Sequence, residues 1–144
     1  NSYIAETGTF GDVSMNSFNH YSYGAIGQWL YETVLGIRSG EQPDEAGYRR
    51  FRLSPTWGGT LTWAKGRHHS PFGAIASGWE LDGSTVIYRC SVPASTKATL
   101  TLPAADGPDS VRVTAENGAA SRQNGPANTA VFELEPGSYE FQIG

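Results

Sequence analysis

From Arg50 onward, apolar residues recur at every second position in short runs separated by glycine- and proline-containing turns. Phe51 and Leu53 alternate with Arg50 and Arg52, and Leu61 and Trp63 with Thr60 and Thr62. Ile75, Ser77, Trp79 and Leu81 share one face of their run, as do Ala98, Leu100 and Leu102. Val111 with Val113, Phe132 with Leu134, and Tyr139 with Phe141 and Ile143 complete the pattern. Successive side chains of a strand point to opposite faces, so each run has one apolar and one polar side. Antiparallel sheets with one face packed and one solvated meet that requirement. Asp82-Gly83 reads as a two-residue hairpin connection, and Pro136-Gly137 as a type II turn between the last two strands. Eight or so such strands predict a mainly β chain, an antiparallel β-sandwich preceded by one helix.

The helix is expected from about Tyr21 to Leu35. Ala25, Ile26, Trp29, Leu30, Thr33, Val34 and Ile37 recur at a spacing of three to four, which gives a wide apolar face. Asn19 or Ser17 would supply the N-cap oxygen, and Gly36 stands where a left-handed residue closes a helix. Gly24 and Gly27 weaken the segment by about 1 kcal/mol each relative to alanine, unless something packs closely there. One helix cannot bury such a face alone. This helix therefore reads as cut from a larger helical body, and the chain, which opens at Asn1, as the C-terminal piece of a bigger protein. Ser39 to Gly47 is polar and is taken as the linker, with residues 1–38 before it and 48–144 after it.

With 144 residues the chain can bury a true core. Charged residues are only 17% and there are 18 glycines, which suits a turn-rich β protein and excludes a disordered tail. A net charge of -4 with no basic stripe argues against nucleic acid and anionic membranes as partners. No apolar run is long enough to span a bilayer, and no signal-peptide pattern or N-x-[ST] sequon occurs. The compartment, bacterial cytoplasm or secreted, stays open. Cys90 is the single cysteine and falls on the Val86, Tyr88, Val92 face, as a buried thiol rather than a nucleophile.

His20 stands beside Asn16, Asn19, Tyr21 and Tyr23 at the mouth of the helix. Amides, imidazole and phenols together suit sugar hydroxyls, and the rings suit the C–H face of a pyranose. The other reading of His20 is a cap-region histidine bonded to nearby backbone. Glu6 and Asp12 lie in the entry loop, Glu32 is on the helix, and Glu80, Glu116, Glu133, Glu135 and Glu140 fall on solvated sheet faces or in turns; no two carboxylates are placed as the acid and base pair that glycoside hydrolysis requires. His68 and His69 point to opposite faces of a strand and cannot chelate one metal. No metal site and no cofactor are expected. Trp63 and Trp79 fall on the apolar phase and are expected in the core. Trp57, in the turn Ser54-Pro55-Thr56-Trp57-Gly58-Gly59, is the one placed to be exposed and to stack on a sugar.

Ser17-Phe18-Asn19-His20-Tyr21-Ser22-Tyr23-Gly24-Ala25-Ile26-Gly27-Gln28-Trp29-Leu30-Tyr31 resembles the S-x-N-H-Y-x-x-G-x-x-x-x-W-L-Y signature of bacterial and fungal α-L-rhamnosidases. Gly47 to Pro55, Gly59-Thr60-Leu61-Thr62-Trp63-Ala64 and Ser70-Pro71-Phe72-Gly73 resemble stretches of the same family in the same order. The likeness is clear up to about Pro103. It implies that residues 1–38 end a catalytic (α/α)6 barrel and that 48–144 form the β-sandwich that follows it. It also implies that His20, with Asn19 and Tyr21, lines a rhamnose pocket. The family's general acid and general base belong to motifs that do not occur in this chain. The resemblance thus implies an inverting hydrolase acting on terminal α-L-rhamnose of rhamnosides, of which this chain carries one wall of the site and no catalytic residue. Turnover by the chain alone would point to Glu6 or Asp12. Two further roles compete, a carbohydrate-binding module using Trp57 and a purely structural brace for the barrel. Without the barrel as partner, the helix face is expected to associate into a homodimer or to leave the N-terminal segment disordered.

Overall fold

The computed structural model describes residues 3–11, 21–40, 42–115 and 117–144. A small hairpin, β1 (Tyr3–Ile4) with β2 (Thr9–Phe10), comes first. The helical segment consists of a 3-10 turn (Tyr21–Tyr23), α1 (Gly24–Trp29) and a π-helical turn (Leu30–Val34). Strands β3 (Ile37–Ser39), β4 (Arg50–Leu53), β5 (Trp63–Ser70), β6 (Gly73–Asp82), β7 (Thr85–Val92) and β8 (Lys97–Pro103) follow. The chain closes with β9 (Val111–Ala115), β10 (Ala120–Gln123), β11 (Thr129–Leu134) and β12 (Gly137–Ile143).

The strands form two five-stranded sheets, ordered β10-β11-β8-β4-β3 and β5-β6-β7-β12-β9. Every pairing is antiparallel except β4 with β8, which is parallel. That exception follows from the path: the chain leaves the first sheet after β4, builds β5, β6 and β7 in the second, and returns as β8. The inner faces meet in one core. Phe51, Leu53, Leu100, Leu102, Phe132 and Leu134 come from the first sheet, and Ile75, Trp79, Tyr88, Tyr139 and Phe141 from the second. Phe132 and Phe141 touch across the interface with ring centroids 5.1 Å apart. The strict in-out burial of β7, β8 and β11 is the alternation expected of a sandwich, so the mainly β reading holds.

Several local expectations are corrected. Trp63 is not core: it is 59% exposed, and Leu61 is 43% exposed. In β5 both phases carry an apolar residue, Trp63 and Ala64, so period two cannot choose between them. The register with β6 chooses, setting Ala64 opposite Trp79 and Gly66 opposite Ser77, which point inward, and Trp63 opposite Glu80, which points out. Trp57, expected to be exposed, is half-buried against the core. Leu81 and Val113 also lie exposed, near the sheet ends. Pro136 and Gly137 do connect the last two strands, and because β11 and β12 belong to opposite sheets the connection crosses the core edge. At the other hairpin, Asp82 pairs with Thr85, so the connection is Gly83-Ser84, with Gly83 at φ +62° as its first position demands.

The helix differs too. Its α-helical period runs only from Gly24 to Trp29, after which the Leu35 amide bonds to the Leu30 carbonyl, five residues back, at 3.0 Å. Only its end is buried: Val34 and Leu35 enter the core while Ile26, Trp29 and Leu30 are 62%, 53% and 42% exposed. Among the described residues nothing lies within 4 Å of a Cβ built on Gly24 or Gly27. The N-cap expected from Asn19 or Ser17 falls outside the described residues. Ile37–Ser39 pairs with β4 in register Ile37 to Leu53, so the polar stretch after Ser39 closes this strand pair.

Candidate functional site

A helix ends with carbonyls that have no intrahelical partner, and buried carbonyls must find one. Here the sandwich supplies them one by one. Arg38 donates through Nε to the Glu32 carbonyl at 2.9 Å, and the Thr56 amide to Thr33 at 3.0 Å. Trp79 donates through Nε1 to Val34 at 2.9 Å, Ser77 through Oγ to Leu35 at 2.6 Å, and the Ser54 amide to Gly36 at 3.0 Å. Ser77 has one proton and gives it to Leu35, so Tyr88, 3.0 Å away, donates its own to Ser77 Oγ. The helix end is thus fastened to the second sheet by buried side chains that interrupt an apolar face. Ser77, on the apolar phase of β6, is the one sequence signal of this.

Tyr88 and Cys90 are neighbours on that inner face. Burial pushes the Cys90 thiol up to about 12 from its ordinary 9.0. Burial, and then the proximity of Cys90, raises the Tyr88 phenol. Both groups hold their protons more tightly folded than unfolded. Their contribution is therefore complete below pH 9 and lost as pH rises toward 12. The urea midpoint is expected to fall across that window, with a slope of up to about 1.4 kcal/mol per pH unit per group. Ellman's reagent at pH 8 should leave Cys90 unmodified until urea is added. A midpoint flat to pH 11, or rapid native labelling, would contradict the burial argument.

The fastened end carries an aromatic cluster. Tyr31 donates to the Arg67 carbonyl at 3.1 Å and meets the His68 ring edge-on at 6.4 Å. Tyr48 packs against the His68 ring with centroids 4.3 Å apart, from a backbone held at φ +69°. Burial first, then the Glu32 carboxylate, raises the Tyr48 phenol. His68 is half-buried and His69 exposed, on opposite faces of β5. Among the described residues no three His, Cys, Asp or Glu side chains gather as a metal would need.

His20 and Asn19 lie outside the described residues. Tyr21 begins the 3-10 turn and is 91% exposed. The Tyr21 ring, with Tyr23, Ile26 and Trp29, gives the outer side of the helix an aromatic and apolar surface. The described carboxylates do not assemble there. Glu80 and Glu140 instead converge on Arg89, at 2.5 and 2.8 Å, on the outer face of the second sheet. The aromatic residue that alternation missed is Trp63, at the rim of that face.

Residues 36–117 match the family Bacterial alpha-L-rhamnosidase C-terminal domain. An alpha-L-rhamnosidase of Formosa agariphila is 36% identical over 99% of this chain, which spans 15% of that protein. One of Streptomyces avermitilis is 36% identical over 97% of the chain, which spans 13% of it. The crystal structure of the Streptomyces avermitilis alpha-L-rhamnosidase complexed with L-rhamnose superposes with a TM-score of 0.82 over 96% of this chain and 12% of that one. The chain therefore spans about one seventh of the curated relatives it matches.

Proposed function

Because the chain belongs to the bacterial α-L-rhamnosidase C-terminal domain family, we propose that it is the C-terminal part of a glycoside hydrolase that releases terminal non-reducing α-L-rhamnose with inversion. The observation that carries this reading is the likeness to the Streptomyces avermitilis enzyme at 36% identity and TM-score 0.82 along nearly the whole chain. Residues 1–38 are read as the end of the catalytic barrel, 39–47 as the linker and 48–144 as the sandwich. Tyr21, with His20 and Asn19, forms one wall of the rhamnose site. The exposed face of Ile26, Trp29 and Leu30 is the seat for the rest of the parent enzyme and, in the chain alone, the surface for a second copy.

Inverting hydrolysis needs a protonated carboxyl on one side of the glycosidic bond and a carboxylate with its water on the other. Glu32 stands on the helical segment, where it accepts from Gln28, and Glu80 and Glu140 are tied to one arginine on a sheet face. The 144-residue chain is thus expected to give no nitrophenol from p-nitrophenyl α-L-rhamnoside above buffer. Turnover abolished by Glu6→Gln or Asp12→Asn would overturn the assignment of both catalytic groups to the rest of the parent. A second role, a structural brace, is supported by the buried bonds from Trp79 and Ser77 to the helix end.

A further inference from the structure

The outer face of the second sheet is a groove of about 1050 Å³. Its shape follows from the cross-strand rows. One row runs Lys65, Gly78, Arg89, Glu140, and the next Arg67, Ala76, Ser91, Ser138. Gly78 and Ala76 make a low floor between a wall on β5 and a wall on β7 and β12. Gly78 is also tightly placed, since a Cβ there would sit 3.0 Å from the Lys65 Cβ and 3.1 Å from the Ala64 carbonyl oxygen, so its neighbours would have to give slightly.

The β5 wall is a straight row of outward residues, Trp63, Lys65, Arg67 and His69. Trp63, Lys65 and Arg67 line the groove, and alternate residues of a strand stand about 6.5 Å apart, so this part of the row runs about 13 Å along it. Trp63 is more than half exposed, with the Lys65 Nζ 5.7 Å from its ring centre. Large rings left in water at the rim of a cleft, beside convergent polar groups, mark ligand surfaces. On the opposite wall Arg89 holds both Glu80 and Glu140, which neutralises much of their charge. Lys65 and Arg67 form no ion pair among the described residues. An acidic chain of net charge -4 therefore presents, along this one wall, an aromatic platform followed by two cations that no described carboxylate neutralises.

We propose that this groove binds a uronate-bearing saccharide chain, with one pyranose stacked on Trp63 and carboxylates met by Lys65 and Arg67. The aromatic ring selects the flat C–H face of a sugar, and the two cations select acidic sugars over neutral ones. The site shares no residue with the helix-entry wall, so it does not depend on the hydrolase reading.

The test is calorimetric titration of the full chain with tetragalacturonate, alongside neutral galactotetraose and dextran sulfate, followed also by tryptophan fluorescence. Tetragalacturonate should bind and quench fluorescence, with galactotetraose weaker by about tenfold or more. W63A, and separately K65A/R67A, should each weaken tetragalacturonate at least about tenfold, while W63F keeps most of the affinity. These positions are exposed, so unchanged urea midpoints will show that the variants fold. Absence of binding, or affinity untouched by W63A, would overturn the proposal. So would dextran sulfate bound as tightly as tetragalacturonate and insensitive to W63A, which would mean charge attraction alone. None of these readouts involves rhamnoside turnover, so failure here and failure of the hydrolase reading are separable.

Discussion

Gly36→Ala is expected to lower stability by about 3 kcal/mol or more, with a matching drop in the urea midpoint. Gly36 closes the helix at φ +71°, where an L side chain costs about 1–2 kcal/mol. A Cβ there would also overlap the Ser54 carbonyl carbon and the Pro55 nitrogen, and lie 2.5 Å from the Ser54 oxygen. Those are backbone atoms that cannot rotate away, and forced shifts of this kind cost about 1–3 kcal/mol more. The same residue accepts the Ser54 amide, so relief of the clash would break the bond that ties β4's exit to the helix. Gly83→Ala provides the control. Its φ is +62°, but no described residue lies within 4 Å of its Cβ, so it should lose only about 1 kcal/mol. Equal losses at the two positions would mean that the approach of Ser54 is unimportant.

The second large effect is at Trp79. Truncation to alanine removes a side chain that is 3% exposed and is expected to cost about 3–5 kcal/mol. It also strips the Val34 carbonyl of its donor. Trp79→Phe separates the two contributions. It keeps most of the apolar bulk and loses the indole N–H, so it should cost about 1–3 kcal/mol for the unsatisfied carbonyl. Hydrogen exchange gives the local readout. The Leu35 amide, bonded to Leu30 across the π turn, should lose protection in Trp79→Phe, while amides in the centre of β11 should change only with global stability. Unaltered exchange at Leu35 would show that the indole fills space without fastening the helix.

Some of these sites were visible in the chain and some were not. Gly36 was readable, because a glycine just past an apolar helical repeat marks a left-handed close. The partner that makes it irreplaceable, the turn at Ser54, was not, since eighteen residues separate them and nothing in either stretch names the other. Trp79 was readable as core, but its donor role was not, because a ring on the apolar phase looks the same whether or not its N–H is used. The helix was over-read. Its three-to-four spacing extends beyond the turn where the backbone changes period, and its apolar residues remain exposed until Val34.

Alternation of apolar and polar residues was enough to make this chain a mainly β sandwich, because a period of two leaves a strand only one face to bury. It placed Phe51, Leu53, Leu100, Tyr88 and Phe141 inward without further information. The resemblance of the helix segment and the stretches after it was enough to point to the rhamnosidase family. The phase of β5 was decided only in three dimensions. Trp63 and Ala64 offer an apolar side chain to either face, and the choice fell to the pairing with β6 and to Leu35. A Cβ on Gly66 would lie 2.5 Å from the Leu35 Cδ1, so the helix end enters the core over that glycine. Gly66 must then face inward, and Trp63, Lys65 and Arg67 are left together in water.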